Sequence, residues 1–258
     1  MLDFFKKGVG EIPGMFSLSH FLFILIAFLV IFITLFLTRK DSNEKIFQRL
    51  KISSMIFLIL EIFKIIWNLT LREDVSVNDY VPLYFCSFFI YANLGFCFIK
   101  NKNSIVYRFC VLFLFYGGIS GGIGYLLYPT TALMVFPLLH ILSFHSLVYH
   151  SFMVISSIWV LRFFKPNLKD FKLYGVVLFI IEIIIIIINY ICDTNFMLLN
   201  KSYGISILDI MYSIAPWLYP YIVAIGQALI TFYPASFVYK FVLSRFIVEK
   251  NEHFEKKI

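Results

Sequence analysis

Residues 18–38 read LSHFLFILIAFLVIFITLFLT. The run holds no Asp, Glu, Lys or Arg, and Arg39-Lys40 follows it at once. About 20 apolar residues, wound as a helix rising about 1.5 Å per residue, cover the hydrocarbon core of a bilayer. An export signal that is cut away has a shorter apolar core and a small-residue cleavage site. Neither is present, so the stretch reads as a retained membrane span.

Outward from it the same texture repeats. Apolar runs recur at about 46–68, 82–99, 105–127, 138–161, 172–191 and 207–239. Of the 258 residues 61% are hydrophobic and 14% are charged, where a soluble domain has roughly 25% charged residues. Lipid supplies no hydrogen-bond partners, so only helices and closed barrels cross it, and runs this long are helices. The fold class expected is an all-α, polytopic bundle of seven transmembrane helices. The last run holds Pro216, Pro220 and Pro234. It reads as a short amphipathic piece at 206–214 followed by a span from about residue 216. The organisation is then an N-terminal segment (1–17), one membrane domain (18–244) and a tail (245–258).

The basic residues orient the bundle. Lys6 and Lys7 precede span 1, and the first connection holds Arg39, Lys40, Lys45, Arg49 and Lys51. The second has only Arg72, beside Glu73, Asp74 and Asp79; the third has Lys100, Lys102 and Arg108. The fourth has none, the fifth has Arg162, Lys165, Lys169 and Lys172, and the sixth has Lys201. The tail carries Lys240, Arg245, Lys250, Lys256 and Lys257. Lys and Arg collect on the cytoplasmic side. The alternation therefore predicts an outside N-terminus and an inside C-terminus, with 39–51, 100–108, 162–172 and the tail inside. The net charge of +7 is topological and gives no sign of a nucleic-acid partner.

Polar groups at membrane depth are expensive and mark candidate sites. Glu61 and Lys64 lie three apart on one helix face. They read either as a self-neutralising ion pair or as a lysine facing a lipid phosphate or a developing anion. Glu182 and Asn189 in span 6 read as interhelical hydrogen-bonding groups. YGGISGGIGY (116–125) lacks the Lys-Ser/Thr of a phosphate loop and any βαβ context. Its Gly117/Gly121 and Gly118/Gly122 pairs point to close helix packing. Cys86, Cys97, Cys110 and Cys192 form no CxxC pair, so no zinc or redox motif is present.

HILSFHSLVYH (140–150) spaces three histidines five apart. Five residues turn a helix by about 140°, so His140, His145 and His150 point three ways and do not share a metal. No metal or cofactor is expected. Depth is more informative. His145 lies about 25 Å from the Arg162 end of its span, His150 about 18 Å, and Cys86 about 21 Å from Lys100, at about 1.5 Å per residue. A thiol needs a base or a positive neighbour to become a thiolate. Depth allows a Cys86–His pair without choosing the histidine.

Four segments in register carry a family resemblance. VPLYFCSFFIY (81–91) resembles the start of span 3 in the YwaF-like integral membrane proteins, a bacterial group similar to the eukaryotic transmembrane protein 164 family. FPLLHILSFHSLVYHSFMV (136–154) resembles their Phe-Pro, then histidine, then span 5 pattern, with His145 at the family histidine. INYICDTNFMLLN (188–200) and SILDIMYSIAPWLYP (206–220) resemble their outer loop and the lead into span 7. Together these cover about residues 18–240. Asp193 and Ala215 stand where the family has Gly, and Val81 where it has Leu.

The resemblance implies acyl transfer between membrane phospholipids, with a phospholipid donor and a lysolipid acceptor, in a bacterial plasma membrane. Carried over by residue, Cys86 is the nucleophile that takes the acyl chain as a thioester, and His145 is the general base, with His150 the alternative. The imidazole is expected to face spans 3 and 6. The required oxyanion donor is sought at Asn189, Asn195 or Lys64, with Glu61 as Lys64's partner. With water as acceptor the same site is a lipid-ester hydrolase. A small transporter or assembly factor without catalysis is the competing class, although seven spans do not divide into two equal inverted halves.

Overall fold

The computed structural model describes residues 11–71, 75–202 and 206–244. The basic tail from Arg245, the N-terminal Lys6 and Lys7, and Arg72, Glu73 and Asp74 lie outside the described residues. Among the described residues seven helical segments are long and apolar enough to cross a membrane. They are Leu18–Thr38, Asn43–Thr70, Val77–Phe98, Ile105–Leu127, Ile141–Val160, Asp170–Cys192 and Tyr219–Leu243, spans 1 to 7.

Local chemistry sets several boundaries. Ser17 caps span 1, its hydroxyl accepting from the His20 N–H at 3.2 Å, and Ser104 caps span 4 in the same way through Tyr107 N–H at 3.2 Å. A side-chain oxygen there satisfies one of the helix's opening N–H groups. Span 5 uses an imidazole instead: His140 Nδ1 accepts from Leu142 N–H at 3.2 Å. Span 6 ends on Asp193 in the left-handed conformation, φ 47°. Gly is the usual choice at such a helix end, and Asp is among the few alternatives. A short helix, Ser206–Ile214, precedes span 7, where the sequence places an amphipathic piece.

Spans 4 and 5 form the centre of the bundle. Some 67% and 72% of their apolar windows are buried, against 22% for spans 1 and 6. The outer faces of those peripheral spans are apolar, with Phe28, Phe32, Ile184 and Ile187 exposed, as lipid contact requires. Span 5 packs on spans 1, 2 and 4, while span 6 packs on spans 4 and 7. Span 4 is an α-helix that widens into one π turn at Phe113–Gly117. The Tyr116 ring of that turn lies 4.2 Å from Phe232 of span 7.

The glycines decide the spacing between spans 4 and 5. A Cβ on Gly118 would run into Ser157 Oγ, and one on Gly122 would meet Val154 Cγ2 at 2.8 Å and the His150 carbonyl at 3.0 Å. Gly118/Gly122 is therefore the close-packing pair. Gly121 instead makes room for the Phe85 ring of span 3, and Gly117 faces Phe113 of its own helix. Gly122→Ala is expected to destabilise the protein by about 1–3 kcal/mol, because the backbone oxygen it meets cannot move aside. Gly124→Ala, with nothing within 4 Å of its Cβ, is the neutral control. Thermal unfolding of the two variants in one detergent checks this; equal melting would refute it.

The basic connections gather at one end. Arg162 donates to the carbonyls of Arg39 at 3.1 Å and Asp41 at 3.3 Å. Phe163 packs against Phe47 and Phe96, so loops 1, 3 and 5 share a face. Trp159 Nε1 also donates to Thr38 Oγ1 at 3.1 Å, joining span 5 to span 1. At the opposite end, Trp67 of span 2 meets Phe136 and His140. There too, Asn195 N–H donates to Asn78 Oδ1 at 2.9 Å, joining loop 6 to the start of span 3.

Candidate functional site

Span 3 is broken at its start. Val77–Tyr80 is a single helical turn, held by Ser76 N–H donating to Asp79 Oδ2 at 3.0 Å. The chain then turns at Pro82, with Leu83 N–H donating to the Val81 carbonyl at 2.9 Å, and restarts as a tight turn at Phe85–Ser87, continuous with the helix Phe88–Phe98. Pro lacks an N–H and disfavours helix at the residue before it, which separates the two pieces. Cys86 is thereby the second residue of the restarted helix, near the positive end of its dipole. Its side chain is half-buried.

Tyr149 of span 5 fixes this turn. Its hydroxyl donates to the Cys86 carbonyl at 2.7 Å. One helical turn earlier on the same face, His145 lies nearly parallel to the Tyr149 ring, with centroids 5.8 Å apart and planes 12° apart. The His145 imidazole is half-buried, and its Nε2 is buried with no hydrogen-bond partner among the described residues. Glu61 and Lys64 of span 2 are joined at 2.5 Å. Span 6 packs against Phe85 and Phe88 on either side of Cys86 through Ile181 and Ile185.

His150 occupies the next face of span 5. Its Nδ1 lies 2.8 Å from the Ser146 carbonyl, which makes that nitrogen the N–H and leaves Nε2 with the lone pair. The Tyr125 ring of span 4 stacks on it at 3.6 Å, with planes 6° apart. The Tyr125 hydroxyl pairs with Thr131 Oγ1 at 2.7 Å and donates to Ser146 Oγ at 3.3 Å. His140 is the helix cap already described and stacks on Phe136 at 4.4 Å.

The structure thus joins His145 to the Cys86 turn through Tyr149, whose ring also meets His150 and, in span 2, Phe57 one turn before Glu61. It does not bring Asn189 or Asn195 into that group. Asn189 Oδ1 accepts from Thr194 Oγ1 at 2.9 Å and Phe196 N–H at 2.8 Å, while its Nδ2 donates to the Phe196 carbonyl at 3.0 Å. Asn195 Oδ1 accepts from the Asn200 and Lys201 N–H groups, and its Nδ2 donates to the Lys201 carbonyl, each at 2.9 Å. Both amides shape loop 6. Glu182 also departs from expectation: it is fully buried, and neither carboxyl oxygen has a hydrogen-bond partner among the described residues.

The remaining thiols are free. Cys110 packs against Gly95, and Cys97 reaches Asn93 Oδ1 at 3.7 Å. Among the described residues no group of three His, Cys, Asp or Glu side chains is placed to hold a metal ion. Tyr149 and Tyr125 were not singled out from the sequence. The available signal was spacing: Tyr149 stands four residues after His145, and Tyr125 closes the glycine-rich stretch.

A bundle of seven helices long and apolar enough to cross a membrane defines the class. Within that class the chain belongs to the TMEM164 family, whose model matches residues 15–235. No curated protein and no solved structure matches it.

Proposed function

We propose that the protein remodels membrane lipids by acyl transfer through Cys86. The observation that carries this reading is Tyr149, whose hydroxyl holds the carbonyl of Cys86 at a helix start while its ring lies parallel to His145 one turn away. A helix N-terminus favours a thiolate. His145 takes the thiol proton. The sulfur attacks the ester carbonyl of a donor phospholipid, a C–S bond forms, and the C–O bond breaks. The leaving lysolipid alkoxide takes the proton back from the imidazolium. In the second half an acceptor hydroxyl gives its proton to His145 and attacks the thioester; a C–O bond forms, the C–S bond breaks, and the imidazolium returns its proton to the leaving thiolate.

Negative charge on the carbonyl oxygen needs donors in place. The opening N–H groups of the restarted helix, at Phe85 and Cys86, are of the kind a helix leaves unpaired, and Lys64 adds charge. Asn189 and Asn195 drop out, their amides being committed to loop 6. The positive-inside rule sets the basic end in the cytoplasm, so Cys86 works in the opposite leaflet.

Incubation of the purified protein with a phospholipid radiolabelled in its acyl chain is expected to label Cys86 through a bond that neutral hydroxylamine cleaves. Chase with a lysophospholipid should move the label to lipid, whereas release only as fatty acid would make the protein a hydrolase. Absence of any Cys86 label under turnover conditions would reject the thioester.

A further inference from the structure

At the basic end, away from Cys86, spans 4 and 6 leave a groove of about 350 Å³ lined by Arg108, Lys169, Lys172, Leu173 and Val176. Three of the five lining residues are cations and none is acidic. The nearest carboxylate in sequence, Asp170, is committed elsewhere: it accepts from Asn167 N–H at 2.8 Å and from the Tyr116 hydroxyl at 3.3 Å.

Topology asks only that basic residues lie in this connection; it does not ask them to converge. Several other cations of this end are occupied. Arg49 pairs with Asp41 at 2.8 Å, and Arg162 donates to loop 1 carbonyls. Lys102 donates to the Phe96 carbonyl at 3.2 Å, and Lys51 lies over the Phe98 ring. By contrast, among the described residues the head groups of Arg108, Lys169 and Lys172 make no ion pair and no hydrogen bond. Three like charges around one groove repel one another unless an anion joins them.

The order of groups along span 6 identifies the anion. Lys169, Lys172, Leu173 and Val176 recur at three- and four-residue spacing and share a face. The cations lie at the membrane boundary, and Val176 is about 6 Å deeper than Lys172. A head group above an aliphatic wall is the order of a phospholipid, and basic pockets between helices at this face suit anionic head groups. We propose that the groove binds an anionic phospholipid, with its phosphate between Arg108, Lys169 and Lys172 and an acyl chain along Leu173 and Val176.

The test is native mass spectrometry of the full chain titrated with phosphatidylglycerol or phosphatidylcholine. A preferential phosphatidylglycerol adduct is expected. The triple variant Arg108→Gln/Lys169→Gln/Lys172→Gln should bind it about a hundredfold more weakly, at about 1 kcal/mol for each cation. A control, Lys40→Gln/Lys45→Gln/Lys100→Gln, removes equal charge from the same end and should retain the adduct. Arg108→Lys/Lys169→Arg/Lys172→Arg should retain it too. If the neutral triple variant fails to insert, Lys169→Gln alone decides, with an expected loss of about fivefold. Inorganic phosphate at matching concentration should not displace the lipid. Equal binding of phosphatidylcholine, an equal loss in the control, or displacement by inorganic phosphate would each overturn the proposal. None of these readouts depends on chemistry at Cys86.

Discussion

Cys86→Ala is expected to lower acyl turnover by at least about a thousandfold, since nothing else in the group replaces the nucleophile. The fold should survive the change. The bond from Tyr149 goes to the Cys86 backbone carbonyl, which alanine keeps, and the turn Phe85–Ser87 is set by the Tyr84 carbonyl accepting from Ser87 N–H at 2.9 Å. Removing one half-buried sulfur should cost no more than about 1 kcal/mol. Unfolding temperature and labelled-lipid turnover, measured on the same preparation, separate the two effects. Cys97→Ser/Cys110→Ser should keep turnover, because Cys110 packs against Gly95 and Cys97 bonds to Asn93 of its own helix, about three turns from Cys86. Wild-type turnover in Cys86→Ala would end the thioester reading.

The membrane architecture was legible because it depends on length and hydropathy, which any window of sequence displays. Residues 18–38 match the first span to the residue. The clustering of loops 1, 3 and 5 at one end follows from the alternation of Lys and Arg. The glycine-rich stretch was legible in part: its periodicity announces packing, but which face meets span 5 most closely depends on the rotation of span 4, and Gly118/Gly122 lies there.

The details of the site were less accessible. Pro82 marks a boundary, yet the extra turn Val77–Tyr80 is four residues long, too short for a hydropathy pattern. Asn189 and Asn195 have the right chemistry for oxyanion donors. Their fate is decided by loop 6, where Asp193, Met197 and Leu198 all take positive φ and fold the backbone onto those amides. Such geometry is set by contacts with spans 3 and 7, among them Gln227 donating to the Met197 carbonyl at 2.6 Å. Tyr149 was hidden differently, as one of 16 tyrosines.

His145→Ala should lower turnover by about 10²–10⁴-fold, the range for loss of a positioned general base, and should slow thioester formation and discharge alike. Its Nε2 is buried without a partner, so no structural bond at that nitrogen is lost, and the Tyr149 strut to Cys86 remains. His150 has the opposite profile. Its Nδ1 is tied to Ser146 and its ring is sandwiched against Tyr125. It is 5% exposed, whereas His145 is half-buried. His150→Gln should therefore lower the unfolding temperature more than it lowers turnover per folded molecule. Yet His150 Nε2 also carries a buried lone pair without a partner. The decisive comparison is single-turnover acylation of Cys86 in both variants, corrected for the folded fraction. Loss in His150→Gln with retention in His145→Ala would move the base five residues along span 5 and make the Tyr125 stack, with its hydroxyl on Ser146 and Thr131, the device that orients it.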